Sequence, residues 1–439
     1  MPTFKGGVHP YDGKDLSKDK PIVLVQPEGD MVFPVVQHIG APAKPVVAVG
    51  DTVLVGQKIA EAGGFVSSNI ISSVSGKVKV IEPRLTVNGK KVLSIVIVND
   101  EEYRTVPGFG EKRDYTKLSK DEIREIVKEA GIVGLGGAGF PTHVKLTPKN
   151  PEAIDHVIVN AAECEPYLTS DYRIMLEEPQ KLVGGLKVLL RLFEKAKGVI
   201  AIEDNKPEAI RVMQEAVSGE SNISVVSLKT KYPQGAERQV ISMVTGRKIG
   251  SDRLPADVGC IVNNVDTVIS IYNAVCETTP LIRRIITLTG DAVRNPINVN
   301  VRIGMHYAEM LKQAEGFVED PEKIISGGPM MGQALSTLNI PVTKTSSSLL
   351  AFKKDSVAAE QVTACIRCGR CVSVCPMRLV PKKLAEVVLR EDYEAFEKMH
   401  GMECYACGSC TYVCPAKKPL TQLCVEGKQG VAASRKAKA

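Results

Sequence analysis

The sequence predicts a multidomain α/β chain, and three observations carry that reading. Apolar and polar residues alternate over roughly the first hundred positions, as in half-buried strands. From about Lys117 apolar residues recur at helical spacing, and strands then alternate with helices, the pattern of a parallel α/β sheet. In the last eighty residues a four-cysteine motif closed by proline occurs twice. At 439 residues the chain is long enough for about three domains, each with a core of its own.

The first hundred residues read as short strands and turns. Val46 to Ile59 alternates around the turn Gly50-Asp51, and a second half follows from Ile70 to Ile81. The two halves resemble a biotinyl or lipoyl carrier, a barrel-sandwich domain placed at residues 1–105. Such carriers modify a lysine on the hairpin between the halves. This chain has none from Ile59 to Gly76, so a structural or docking role is expected. His9 and His38 have no Cys or His at ligand spacing and read as ordinary surface or core histidines.

Ser119-Lys-Asp-Glu122 is a capping box, with Ile123, Ile126 and Val127 following on one helical face and Gly131 ending the helix. A glycine-rich loop comes next. Gly134, Gly136, Gly137 and Gly139 leave backbone N–H groups open to a phosphate, with Lys145 to neutralise its charge, although the same glycines would also serve a tightly packed turn. The spacing matches neither the P-loop nor the dinucleotide fingerprint, which disfavours an ATPase. A strand over His156–Asn160, a helix over Gln180–Ala196, a strand over Gly198–Glu203 and a helix from Pro207 complete the expected α/β domain, residues 115–280. Leu281 to Leu335 is β-rich again and resembles a β-grasp module of the soluble-ligand-binding kind, placed at 281–345.

The cysteine motifs carry the chemistry. Cys365, Cys368, Cys371 and Cys375-Pro376 form the first copy; Cys404, Cys407, Cys410 and Cys414-Pro415 form the second. Three thiolates at i, i+3 and i+6 can reach three corners of one cubane, and in two-cluster ferredoxins the fourth cysteine ligates the other cluster. Cys365, Cys368, Cys371 and Cys414 are therefore assigned to one 4Fe–4S cluster, and Cys404, Cys407, Cys410 and Cys375 to the second. Structural zinc calls for neither the third cysteine nor the proline. Disulfides need an oxidising compartment, and the sequence carries no recognisable signal peptide. Cys260, Cys276 and Cys424 read as buried apolar residues, and Cys164, between two glutamates, as a disfavoured thiolate. The roughly twenty residues from Pro381 to His400 would span about 30 Å as one helix, so a helical ferredoxin domain is expected at 355–427. Residues 428–439, with Arg435, Lys436 and Lys438, read as a disordered basic tail.

Gly134-Leu-Gly-Gly-Ala-Gly-Phe-Pro-Thr-His-Val-Lys145 resembles the Gly-Arg-Gly-Gly-Ala-Gly-Phe-Pro-Thr-Gly-x-Lys loop of the NADH-oxidising flavoprotein subunit of respiratory complex I. Asn160-Ala-Ala-Glu-Cys-Glu-Pro166, Tyr232-Pro-Gln-Gly-Ala-Glu237 and Asn263-Asn-Val-Asp-Thr267 are similar to that family's later motifs, in the same order. The resemblance implies a Rossmann-like FMN/NADH domain. It implies non-covalent FMN against the glycine loop, Asn160, Glu163, Asn263 and Asn264, with NADH stacked over it near Glu165 and Glu237. Leu135 stands where that family has arginine, Ala162 where it has aspartate and Ala236 where it has glutamate, and an extra residue follows Pro166. With the carrier-like domain, the β-grasp module and two clusters, residues 5–425 are more similar to the C subunit of the Rnf complex, a membrane-bound, ion-translocating ferredoxin:NAD+ oxidoreductase. That resemblance implies a peripheral subunit on the cytoplasmic face of the membrane, in contact with other subunits, with NAD(H) and with ferredoxin or another iron–sulfur subunit. A soluble NADH dehydrogenase feeding a cytoplasmic reductase such as proline reductase shares much of the architecture and is the alternative; a scaffold with structural clusters is a third.

The remaining bulk properties are ordinary. Charged residues make up 24% and hydrophobic ones 44%, and a formal charge of +6 is too small and dispersed to suggest nucleic acid. No apolar run approaches the roughly 18 to 20 residues of a membrane span. Anaerobic purification should give about eight irons and eight acid-labile sulfides per chain, because each motif matches a 4Fe–4S site. Zinc at one or two per chain, with no iron after reconstitution, would end this reading.

Overall fold

A computed structural model describes residues 1–438. The α/β domain is built on four parallel strands in the order Ile223–Leu228, Lys197–Glu203, His156–Ala161, Cys260–Asn264. The order reverses between His156–Ala161 and Cys260–Asn264, and ligands of open α/β sheets bind at such switch points, beyond the strands' carboxyl ends. Asn160 and Asn264 lie directly across from one another there. Helix Lys120–Glu129 carries the capping box, Ser119 and Glu122 each bonding the other's backbone N–H. Helix Pro179–Leu192, shorter than expected, packs on helix Val265–Cys276 through Gly184 and Gly185. A Cβ on Gly185 would lie 2.2 Å from the Val268 carbonyl, so the close crossing depends on that glycine.

The N-terminal domain pairs a four-stranded antiparallel sheet, ordered Met31–Pro34, Lys91–Asn99, Gly76–Leu85, Thr52–Val53, with a small sheet of Lys44–Pro45, Lys58–Glu61 and Ile70–Ile71. The Gly50 turn therefore divides strands between two sheets. His9 is exposed. His38 is buried and accepts the Ser68 N–H, and burial, with the nearby Lys344 charge, lowers its pKa to about 4.

The β-grasp sheet has six strands, Ile22–Leu24, Ile297–Arg302, Arg283–Thr289, Ser348–Phe352, Lys323–Ser326 and Gln333–Ala334. Its first strand in sequence comes from the N-terminal segment, and Ser348–Phe352 sits centrally in it although it lies beyond residue 345. Two expectations for the C-terminal region are corrected. Pro381 to His400 forms two helices, Pro381–Val388 and Tyr393–Lys398, because Glu391 turns left-handed (φ 57°) and Asp392 caps the second helix at Ala395. The basic end is not a free tail: helix Leu420–Lys438 continues through it, with Arg435 paired to Glu397.

The second half of the hairpin that carriers expose is buried in this chain, while its tip at Gly64 and Phe65 is exposed. Ser67, Ser68, Asn69, Ser72 and Ser73 are all enclosed. Ser73 donates to the Ile303 carbonyl at 2.6 Å, and Lys344 donates to Ser68 Oγ at 3.1 Å, to the Asn69 carbonyl and to the Gly131 carbonyl at 2.6 Å. One lysine thus joins three domains, and burial lowers its pKa from 10.5 to about 7. The folded pKa lies below that of the unfolded chain, so between the two values only the unfolded chain holds the proton. Stability therefore rises with pH across that window. The thermal midpoint of the parent, relative to Lys344→Met, should climb as pH is raised from about 7 towards 10; a difference that stays flat would show that Lys344 does not titrate there.

Candidate flavin and iron–sulfur site

Beyond helix Lys120–Glu129 the chain turns at Gly131 (φ 67°), where a Cβ would lie 2.6 Å from the Asn69 carbonyl. Gly134 N–H closes onto the Phe140 carbonyl at 2.9 Å, which pushes residues 135–138 into a turn. Leu135 points inward, with its N–H on Thr267 Oγ1 at 2.9 Å and its carbonyl held by Arg284 at 3.1 Å. Gly136, Gly137 and Ala138 are exposed, and among the described residues no acceptor takes their N–H groups. A Cβ on Gly136 would lie 2.9 Å from the Asn264 side chain, whereas one on Gly137 meets nothing within 4 Å. Gly139, left-handed at 73°, rests on Thr345 and Gln37.

The polar side chains gather at the switch point. Asn160 Nδ2 donates to the Gly235 carbonyl at 2.8 Å. Asn264 caps helix Val265–Cys276 and donates to Asp171 at 2.6 Å. Asn263 is buried with neither amide atom partnered, and so is Gln234. Glu163, itself left-handed (φ 45°), accepts the Asp171 N–H on one oxygen, while its other oxygen has no hydrogen bond and faces Lys14 Nζ at 3.9 Å. An unpartnered buried polar group costs about 1 to 3 kcal/mol. Free N–H groups on the loop and unpartnered polar atoms at the switch point suit a phosphate and a polyol, so these residues fit FMN.

Two other expected residues have protein partners. Lys145 binds Glu237 at 3.1 Å and the Val262 carbonyl at 3.0 Å, so the loop lysine and the nucleotide-side glutamate form one ion pair. Glu165 accepts the Met330 and Met331 N–H groups at 2.7 and 3.0 Å, which ties it to the β-grasp module. Burial raises Asp171 to about 8, with Glu163 and Asp266 adding to the shift. Burial, then Glu203 and Glu165, push the Cys164 thiol well up, so it stays protonated. Sequence reasoning missed Lys14, Lys206 and Arg284. Lys14 caps the Glu163, Glu165 and Leu168 carbonyls, and Lys206 donates to the Ala162 carbonyl at 2.8 Å. None carried a local signal. Gln234 lay inside a recognised motif and was legible.

The cysteine loops repeat each other in conformation. Arg367 and Ala406, each just before the second cysteine, are left-handed (φ 57° and 56°), as are Gly369 and Gly408 just after it. Arg378 and Lys417, three residues past the fourth cysteines, match at 56° and 51°. Such turns gather N–H groups on one side: Leu379 N–H lies 3.3 Å from Cys375 Sγ, and Ala406 N–H 3.3 Å from Cys404 Sγ. Cys375, Cys404, Cys407 and Cys410 line one small pocket, together with Leu379 and Cys424. The fourth cysteine of the first motif thus lies with the second motif's triplet. Cys414, in turn, is near enough to Cys371 to add to the upward shift that burial causes. Cys365 and Cys368 lie on an exposed segment. Cys260, Cys276 and Cys424 are buried.

Comparison with known proteins finds four domain families along the chain. Residues 2–102 match the RnfC barrel sandwich hybrid domain, 127–273 the Nuo51 FMN-binding domain, 285–334 the SLBB domain and 364–418 the 4Fe-4S dicluster domain. The C subunit of the proton-translocating ferredoxin:NAD+ oxidoreductase complex of Clostridium ljungdahlii is 48% identical over 424 residues, covering 96% of this chain and 92% of that one. The chain belongs to the RnfC family. The C subunit of the Na+-translocating complex of Acetobacterium woodii is 43% identical, covering 99% of this chain and 98% of its own. A chain of an NAD+-reducing [NiFe]-hydrogenase shares the fold, with a TM-score of 0.52 over 74% of this chain and 67% of that one at 18% identity. As an RnfC-family member, the protein is a subunit of a multisubunit, ion-translocating ferredoxin:NAD+ oxidoreductase, with an FMN-binding domain and two 4Fe–4S clusters. No helix among the described residues is long and apolar enough to cross a membrane.

Cys375→Ala should damage the cluster whose other ligands are Cys404, Cys407 and Cys410. EPR, with the two signals assigned beforehand through Cys368 and Cys407 variants, reads this directly. Selective loss of the signal that depends on Cys368 would refute the crossed ligation.

Proposed function

We propose that this RnfC-family chain is the NAD(H)-handling subunit of its complex, peripheral to the cytoplasmic face of the membrane. It exchanges hydride between NAD(H) and FMN and relays single electrons to ferredoxin or another iron–sulfur subunit. The bound flavin converts a two-electron hydride into single electrons, and the protein supplies position and electrostatics. In this reading the Gly136, Gly137 and Ala138 N–H groups bind the FMN phosphate, with Gly134 and Gly139 shaping the loop. Asn160, Glu163, Asn263 and Asn264 hold the flavin, Lys145 offsets the charge of its phosphate, and Glu165 and Glu237 border the NADH. Cys365, Cys368, Cys371 and Cys414 hold one cluster; Cys375, Cys404, Cys407 and Cys410 hold the other. The labour divides over 1–105, 115–280, 281–345 and 355–427, with 428–439 as the basic end.

The observation that supports this best is the row of exposed, unpartnered N–H groups on a loop whose Gly136 backs onto the Asn264 side chain, which in turn binds Asp171 next to Glu163. Replacing Gly137 with valine separates the cradle from a mere turn. Its Cβ has open space and its φ is not left-handed, so the thermal midpoint should hardly move, while the added side chain blocks the approach of a phosphate. Lys145→Ala should weaken FMN binding by about 1 to 3 kcal/mol, the worth of a charge-assisted contact. Both variants should keep their clusters, lose NADH-dependent bleaching and still be reduced by dithionite. Flavin titration by fluorescence quenching is the measurement; folded variants that bind FMN like the parent would place the flavin elsewhere.

A further inference from the structure

The two cluster loops have unequal surroundings. Tyr232 is 2% exposed, and its phenol donates to the Cys407 carbonyl at 2.7 Å. Three residues on, Gly235 takes the Asn160 amide on its carbonyl and points its N–H at Cys164 Sγ, 3.2 Å away, so the same short loop reaches the switch point. Cys164, Tyr232, Met330, Val374 and Cys407 pack into one apolar cluster with Val8. The N-terminal segment stitches the seam: Val8 and Tyr232 exchange backbone hydrogen bonds at 2.9 and 3.0 Å, and Gly7 N–H binds the Val374 carbonyl, next to Cys375, at 2.7 Å. Arg238 pins the far side through Glu403 at 2.7 Å. The other loop faces outward. Every residue from 356 to 370 is exposed, Val362 and Ile366 among them, and Arg367 and Arg370 have no carboxylate partner among the described residues.

We infer that the cluster held by Cys375, Cys404, Cys407 and Cys410 is the inner one, reached from the flavin side across Tyr232, and that the cluster of Cys365, Cys368, Cys371 and Cys414 is the outer one. Tyr232 is a positioning residue, since it fixes the loop that borders the flavin against the backbone of an inner-cluster ligand. The inference rests on the proposed function. Its balance is one NADH oxidised to NAD+, one proton released and two clusters each reduced by one electron. Each electron destined for the outer cluster passes through the inner one.

The test uses the full chain, purified anaerobically with FMN and iron, as parent, Cys368→Ser and Cys410→Ser, each reduced by NADH or by dithionite and read by EPR. In Cys368→Ser the surviving inner cluster should still be reduced by NADH. In Cys410→Ser the surviving outer cluster should respond to dithionite and lose its response to NADH. The order is overturned if NADH reduces the outer cluster of Cys410→Ser at the parental rate, or if the survivor in Cys368→Ser answers only to dithionite. Should Cys410→Ser retain neither cluster, the Cys368→Ser result decides by the same criterion. Tyr232→Phe keeps every ligand, so it should slow NADH reduction of both clusters while leaving FMN affinity and dithionite reduction at parental values; an unchanged NADH rate removes Tyr232 from the path. A parent that binds no FMN sinks the proposed function itself, whereas the variant outcomes in an FMN-binding parent sink only the order.

Discussion

The fold turns on a buried lysine amine. Lys344 is fully enclosed and its acceptors are two carbonyls and a hydroxyl, with no carboxylate in partnership. The Gly131 carbonyl lies just past the C-terminus of helix Lys120–Glu129, where the helix dipole favours positive charge. Losing the lysine would leave buried acceptors in two domains, the Asn69 and Gly131 carbonyls, without this donor. The glycine loop inherits its position from that clamp. It starts at Gly131, and Gly139 closes it against Thr345, the next residue after the lysine, while the Ile39 N–H reaches the Gly139 carbonyl at 3.3 Å.

What could be read from the sequence was whatever is coded locally. The capping box, the alternation of strands and helices, and the doubled cysteine spacing each depend on neighbours within a few residues. All appear at the expected places. The missing lysine between Ile59 and Gly76 argued against a carrier, and the structure places Ser67, Ser68, Asn69, Ser72 and Ser73 in the interdomain seam. Long-range placements were not legible. Lys14 reaches the Glu163 carbonyl across 149 positions and Lys344 the Gly131 carbonyl across 213, and a lone lysine in sequence looks like any surface lysine. Strand Ile22–Leu24 was out of reach for the same reason: three residues carry no period, and only the edge offered by Ile297–Arg302 makes them a strand. The broken helix after Pro381 was missed because its interruption depends on a single left-handed residue, Glu391, a type with no preference for that conformation.

The charge arrangement near the glycine loop has its own logic. Glu163, Asp171 and Asp266 come together behind a loop whose free N–H groups suit an anion, and three ionised carboxylates there would repel a phosphate. Burial raises Glu163 and lifts Asp171 to about 8, so Asp171 keeps its proton at neutral pH. Asp266 is neutralised by Arg284, which also holds the Leu135 carbonyl and so fixes the loop it shields. Leu135 stands where the related flavoproteins carry an arginine. Its side chain is buried, so no cation replaces that arginine at this position; the positive groups come instead from Lys14, Lys206 and Arg284, on other parts of the chain.

The two β-rich modules then have a mechanical role that needs no chemistry of their own. Glu165 would be free to turn if the β-grasp turn did not present the Met330 and Met331 N–H groups to it, and Met330 also closes over Gly408, whose Cβ would lie 2.8 Å from the Met330 carbonyl. The N-terminal segment contributes Val8 and Gly7 to the same seam and Lys14 to the back of the Glu163 turn. The junction between the Tyr232–Gly235 loop and the cluster domain is consequently a packed contact of tyrosine, valine, methionine and cysteine, with the Arg238–Glu403 ion pair at its edge. Electron transfer needs fixed separation and little reorganisation more than it needs acid–base groups, and a packed apolar seam held from three sides supplies both. A ferredoxin domain joined only by a linker would let that separation vary; here tertiary packing, not the covalent connection through the exposed residues 356–370, sets it.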